Sequence, residues 1–212
     1  MGSETLTRAK IAAAATLLAN RDRHLAKILD AHGPPPLWGR PQGFPTLVRI
    51  ILEQQVSLAS AASIYQRLAA AINPFHPSGF ISAGESQFRS LGVTRQKAAY
   101  LVHLAKQIDA CQLNLPALRR MNDEDAKGIL MNVKGIGSWS ADIYLLMAMR
   151  RADIWPSGDL ALASTIRELY RRKNRPGPEE LTKFAERWRP FRAVAARMLW
   201  QHYLAARKRP LA

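Results

Sequence analysis

The sequence predicts an all-α fold. Three observations carry that expectation: apolar residues recur at helical spacing along most of the chain, alternating β-branched runs of useful length are almost absent, and caps and breakers fall at helix-length intervals. A chain of 212 residues with 48% hydrophobic content can bury one or two cores. Its 12 glycines and 13 prolines are ordinary numbers, which excludes a fibrous or disordered chain.

The elements follow in order. Residues 5–19 and 21–31 read as Ala/Leu-rich helices, ended by Gly33-Pro34-Pro35-Pro36 and Pro41-Gln42-Gly43, which no helix crosses. Thr46 is the expected cap of an apolar helix over 47–55, which resumes after Ser57 through Ala61, Ile64 and Leu68. Pro74 and Pro77 end that segment. A short helix over 85–90 is closed by Gly92, and Thr94 is the expected N-cap of the next, over 95–110. After a connector at 113–118, helices over 123–132 and 138–150 are joined by Val133-Lys134-Gly135-Ile136-Gly137. Beyond Pro156-Ser157-Gly158, helices resume near Leu160, Pro178 and Phe191, and basic clusters stand at Arg171-Arg172-Lys173 and Arg207-Lys208-Arg209. No solenoid period is present.

The formal charge is 31 − 16 = +15, and both signs occur along the whole chain, so the excess reads as a basic surface on a folded body with a polyanionic partner. An anionic membrane is the weaker candidate. The most apolar stretch, 129–149, is interrupted by Lys134, Asp142 and the two glycines, short of the ~20 apolar residues that a span needs. Glu4, Arg8 and Lys10 break up the Ala-rich start from Met1 to Ala15, which does not read as a secretory signal, so the protein is expected to stay in the compartment where it is made. The single cysteine, Cys111, can supply neither an internal disulfide nor a four-cysteine cluster or zinc site.

Two segments carry chemistry. In Lys134-Gly135-Ile136-Gly137-Ser138-Trp139, two glycines flank an apolar residue and a helix begins at once. Glycine permits positive φ and close backbone approach, a buried Ile136 would pin the turn, and the amides at the helix start can hold a phosphate oxygen. A tight helix–helix turn uses the same residues with no ligand at all. Twenty residues after Trp139, the stretch Asp153-Ile154-Trp155-Pro156-Ser157-Gly158-Asp159-Leu160-Ala161 puts an aspartate at a helix start. There it serves as an N-cap, and the helix dipole favours a negative charge.

This pair of segments resembles the signature of the helix-hairpin-helix (HhH-GPD) DNA glycosylase superfamily, and in particular its 3-methyladenine DNA glycosylase II branch. The likeness extends to Ile51-Leu52-Glu53-Gln54-Gln55-Val56-Ser57 upstream and to Trp188-Arg189-Pro190-Phe191-Arg192 with Leu199-Trp200 downstream. It implies a two-lobed all-α glycosylase fold with the active site in the cleft between lobes. One lobe would be 1–45 with 151–212, the other 46–150 containing the hairpin at 133–137.

The resemblance also implies roles. Asp159 would be the catalytic carboxylate, stabilising an oxocarbenium-like sugar and orienting water. Related bifunctional enzymes carry a lysine nucleophile where this chain has Trp139, so hydrolysis of the N-glycosidic bond without a lyase step is expected. Trp200 and Trp139 match aromatic pocket positions suited to an electron-poor alkylated base, although core packing explains a tryptophan at helical spacing equally well. Gln55 matches the residue that fills the gap left by the flipped base. Gly135, Gly137, Ser138 and Lys134 would bind a phosphate beside the lesion, with a structural monovalent cation at the hairpin and no catalytic metal or cofactor.

The implied partner is double-stranded DNA containing a damaged base, met by a monomer in the bacterial cytoplasm at the nucleoid, or in a eukaryotic nucleus. Neither the N-terminal β-rich domain of some longer members nor the C-terminal cysteine cluster of other branches is expected here, and Gly158 and Ile143 stand where some relatives carry an acid and an aromatic. A noncatalytic DNA-binding protein and a glycosylase for uracil or methylated cytosine remain the alternatives.

Overall fold

The structure, a computed structural model, describes residues 5–207. Met1–Glu4 at the N-terminal end, and Lys208 and Arg209 of the last basic cluster, lie outside the described residues. The all-α class holds: among the described residues the only extended pairing is one isolated bridge between Thr5 and Arg151. Among the described residues no helix is long and apolar enough to cross a membrane. The chain divides into two compact units, a central one over Arg40–Tyr144 and a terminal one joining 5–39 to 145–207.

In the terminal unit, α1 (Arg8–Arg21) is capped by Thr7, whose Oγ1 accepts from Lys10 N at 3.2 Å. The helix expected from residue 5 therefore starts later, because Thr5 and Leu6 are extended and Leu6 N donates to Arg150 O at 2.8 Å. Asp22 caps α2 (Arg23–His32) through His24 N, and its other oxygen accepts from Tyr170 Oη at 2.5 Å and Trp188 Nε1 at 3.0 Å.

In the central unit, α3 (Phe44–Glu53) begins at Gly43, with Pro45 in its first turn. Thr46 is inside the helix and its hydroxyl donates to Pro41 O at 2.6 Å, so it secures the preceding loop and does not cap. Eight of its ten residues are buried, which makes α3 the core of the unit, packed against α4 (Leu58–Ala71) and α6 (Arg95–Asp109). Ser57 caps α4, accepting from Ser60 N at 3.1 Å. The short helix expected at 85–90 is the second half of α5 (Pro77–Ser90), which bends at Gly84 with φ +69°. The two glycines at 79 and 84 hide the first half from a propensity reading, but Pro77 suits the first turn and Phe80 is buried between Phe44, Phe75 and Phe88 at 4.8, 4.9 and 5.2 Å.

Thr94 caps α6, as expected. The connector beyond it includes a 3₁₀ turn, Pro116–Arg120. Asn122 then caps α7 (Asp123–Met131), whose acidic first turn suits the helix dipole. The single helix expected over 138–150 is instead α8 (Ser138–Ile143) running into a π-helical stretch, Tyr144–Ala148. Wide π turns leave end carbonyls looking for donors, and in the terminal unit the fully buried Arg197 supplies one, Nη2 to Leu146 O at 2.8 Å. That burial pushes the Arg197 guanidinium down to about 9.

The terminal unit closes with α9 (Leu160–Leu169), α10 (Pro178–Ala185), a 3₁₀ turn at Glu186–Trp188 and α11 (Arg192–Ala206). Residues 193–199 of α11 are all buried, and the helix packs against α1, α2 and α9. Its alanines permit that close approach on several faces at once.

Candidate active site and nucleic-acid contacts

Asp159 is the N-cap of α9, with extended backbone (φ −76°, ψ 116°). Its Oδ1 accepts from Leu162 N at 2.9 Å and from the indole Nε1 of Trp200 at 3.1 Å. The carboxylate is half-buried and sits at the positive end of a ten-residue helix. Thus the structure brings Asp159 and Trp200 together, and the tryptophan uses its only donor on the carboxylate. Gly158, before it, is exposed.

The segment leading to Asp159 is tied to the start of α11 by residues whose roles the sequence does not announce. Asp153 accepts from Arg189 Nη1 at 2.6 Å and Arg192 Nε at 2.9 Å, Arg192 Nη2 also donates to Asp153 O at 2.7 Å, and Ala193 N donates to Ala152 O at 3.0 Å. Arg189 and Arg192 share a second carboxylate, Glu186, which they hold below the usual range, Arg189 through its direct hydrogen bond above all. Since α11 carries Trp200, this clamp fixes the cap residue and its indole donor in one frame. The signal was visible as Asp153 in the same stretch as Asp159, but an aspartate six residues upstream of a cap has no local meaning until its arginines are brought to it.

In the central unit, the turn between α7 and α8 has two unequal glycines. Gly135 has φ +95°, and a Cβ there would lie 2.3 Å from Tyr100 Cγ, so both backbone conformation and space require glycine. Gly137 has φ −88°, and a Cβ added there would meet open space, with no atom within 4 Å. Ile136 is buried between them, as expected. Lys134 is exposed, Ser138 is half-buried with Oγ at 3.5 Å from Asp142 Oδ2, and Trp139 is half-buried on α8. Lys127 Nζ pairs with the buried Asp142 at 2.7 Å and joins α7 to α8.

Gln55 does not belong to a helix. α3 ends at Glu53, and Gln55 is exposed with φ +56° in the loop before α4. At the helix end a side-chain donor satisfies free carbonyls: Lys97 Nζ bonds Leu52 O in the last turn and Gln54 O just beyond it, each at 2.7 Å. Burial pushes the Lys97 ammonium down. Glu53, also buried, accepts from Arg40 at 2.8 and 2.9 Å and from Arg49 at 3.1 Å. Among the described residues no cluster of three or more His, Cys, Asp or Glu side chains is arranged to hold a metal ion.

Residues 48–190 match the family model described as the HhH-GPD superfamily base excision DNA repair protein. Among curated relatives, the chain is 25% identical to a DNA-3-methyladenine glycosylase of Bacillus subtilis (strain 168), over 77% of this chain and 58% of that protein. It is 25% identical to DNA-3-methyladenine glycosylase 1 of Schizosaccharomyces pombe, over 84% of this chain and 80% of that protein. The chain spans about three fifths of the length of its two Bacillus subtilis relatives, 64% and 58%. A solved structure of the Schizosaccharomyces pombe 3-methyladenine DNA glycosylase in complex with abasic DNA superposes with a TM-score of 0.78 at 22% identity, covering 92% of this chain and 97% of that one, which shows a shared fold.

Proposed function

Because the chain belongs to the HhH-GPD superfamily of base excision DNA repair proteins, we propose that it is a monofunctional DNA glycosylase hydrolysing the N-glycosidic bond of alkylated purines, of the 3-methyladenine type, in duplex DNA. The observation that carries this reading is the Asp159 carboxylate, fixed between the first turn of α9 and the Trp200 indole.

As the bond from purine nitrogen to C1′ lengthens, its electron pair leaves with the base and positive charge gathers on C1′ and the ring oxygen. Asp159 stabilises that charge, orients the attacking water and takes its proton as the water oxygen bonds C1′. The products are a free base and an abasic sugar. An alkylated purine is electron-poor and leaves readily, which suits a site whose chemistry rests on one carboxylate. Trp200 and Trp139 offer aromatic faces for such a base. Because Trp139 stands where a lyase would need its lysine, no Schiff base forms and the strand is not cut.

The backbone amides at Gly137 and Ser138, with Lys134, grip a phosphate beside the lesion, and Gln55 enters the duplex where the base has left. A monovalent cation suits the hairpin, since it requires only neutral oxygens and the Val133 and Gly135 carbonyls each keep a lone pair beyond the bond they accept from Ile136 N and Gln54 Nε2. It would help to hold the phosphate. The protein acts as a monomer wherever the cell keeps its DNA.

The test is Asp159→Asn, read as base release from a panel of methylated, deaminated and oxidised duplexes, with strand scission scored separately. Base release should vanish while affinity for abasic-site DNA stays near that of the unaltered protein. Undiminished release by the variant would overturn the assignment, release of uracil instead of 3-methyladenine would move the substrate class, and no release of any base by the unaltered protein would leave a DNA-binding module.

A further inference from the structure

The loop carrying Gln55 and the glycine hairpin are far apart in sequence, yet in the central unit they are built as one piece. Gln54 turns inward beside the exposed Gln55, and its Nε2 donates to Gly135 O at 2.8 Å and to Ser140 Oγ at 2.9 Å. Both amide hydrogens are thus committed to the hairpin and to the first turn of α8. Beneath them, α6 supplies a platform. Lys97 binds two carbonyls that lead into the loop, Leu52 O in the last turn of α3 and Gln54 O just before Gln55. Tyr100, three residues further on and therefore on the same helix face, fills the space where Gly135 lacks a Cβ. Gln55 itself occupies a left-handed backbone conformation with no glycine to ease it, a state that persists only where its surroundings over-determine it.

We infer that Gln54 and Lys97 are positioning residues that weld the Gln55 loop to the hairpin, so that the residue filling the duplex gap is held at a set distance from the amides that grip the phosphate. This rests on the glycosylase reading given above, and deepens it: selectivity for a lesion over intact DNA depends on the linkage and not on Gln55 alone. Both residues act through Gln55. Neither needs to touch DNA.

The experiment uses the full chain and a duplex bearing a stable abasic-site analogue with 2-aminopurine beside the gap. Gln54→Met and Lys97→Met keep the apolar stems and lose the donors. Each is measured with Gln55 present and in a Gln55→Ala background, as affinity for abasic-site DNA relative to intact duplex and as 2-aminopurine fluorescence on binding. Loss of one or two hydrogen bonds should lower the abasic-site preference about five- to tenfold. In the Gln55→Ala background the same substitutions should change it no further, and Lys97→Arg, which retains donors, should restore most of the preference and the fluorescence signal.

Equal losses in both backgrounds, or equal weakening on both DNAs, would overturn the inference by showing a merely structural role. So would an unchanged preference in Gln54→Met and Lys97→Met while Gln55→Ala lowers it, and in that case the gap-filling assignment itself survives. A Gln55→Ala protein with undiminished preference would remove that assignment and this inference together. If Gln54→Met does not fold, the Lys97 pair of variants decides the matter by the same readouts.

Discussion

The indole of Trp200 donates to the same oxygen of Asp159 that caps α9, so the carboxylate is held by two donors from different helices. A hydrogen bond to a charged group is worth about 1.5–3 kcal/mol, and here it acts on the group proposed to meet the transition state. Trp200→Phe keeps an aromatic face and deletes the donor. It should lower kcat about ten- to a hundredfold with little change in KM, checked by single-turnover base release and binding to lesion DNA; a raised KM at unchanged kcat would assign the ring to stacking alone. Asp22 illustrates the other use of a buried carboxylate. Burial pulls its pKa up, but hydrogen bonds from Tyr170, from the His24 backbone, from Trp188 and from the Leu25 backbone outweigh that and leave it lowered from 3.8. A carboxylate lowered in the folded state adds stability above its unfolded value, and that stability is lost as pH falls through the folded one. Resistance to thermal unfolding should therefore weaken below about pH 4, where carboxylates protonate, and Asp22→Asn should start less stable and show a flatter acid limb.

Two helix starts were legible through a side-chain cap, whereas Thr46 misplaced the start of α3, and limits that depend on distant partners were not legible. Thr94 and Asp159 cap where their sequence context says they should, because a cap is a local interaction between one side chain and the next turn. The end of α3 is different. Glu53, Gln54 and Gln55 are all compatible with a helix and give no reason to stop at Glu53, and the carbonyls at that end are met by Lys97, 44 residues beyond Glu53 in a helix of its own. Likewise the glycines within α5 argue against a helix that aromatic packing around Phe80 then secures. The hairpin was legible as a turn, but the unequal duties of its glycines were not, since the ring that crowds Gly135 belongs to Tyr100. Gly135→Ala must distort both backbone and packing and should cost about 2–4 kcal/mol in denaturant unfolding. Gly137→Ala, with extended backbone and open space, should unfold within about 0.5 kcal/mol of the unaltered protein. If Gly137 is there for close approach to a phosphate, that alanine should nevertheless weaken DNA binding, and unchanged binding would make the second glycine incidental.

On the scale of the whole molecule, the charge of +15 was the earliest sign of a polyanionic partner, and it constrains binding more than chemistry. With 31 lysines and arginines against 16 acids, one-to-one pairing inside the protein cannot absorb the basic surplus. The aspartate proposed for hydrolysis stands out only through its pairing with the hairpin motif, because one N-capping carboxylate looks like any other until a family pattern singles it out. These two layers separate under salt. Each phosphate neutralised releases counterions, so the affinity for duplex should fall with a log–log slope of about −0.9 per contact, and six to ten contacts would lose roughly 10³–10⁵ between 50 and 200 mM salt. On the proposed reading, base release from DNA already bound depends on Asp159, half-buried and hydrogen-bonded over about 3 Å, a range far shorter than the roughly 10 Å Debye length at 0.1 M. Single-turnover rates at saturating protein should thus stay within about twofold across a salt range that collapses affinity. A rate that fell in step with affinity would mean that the long-range field, and not the local carboxylate, carries the transition state.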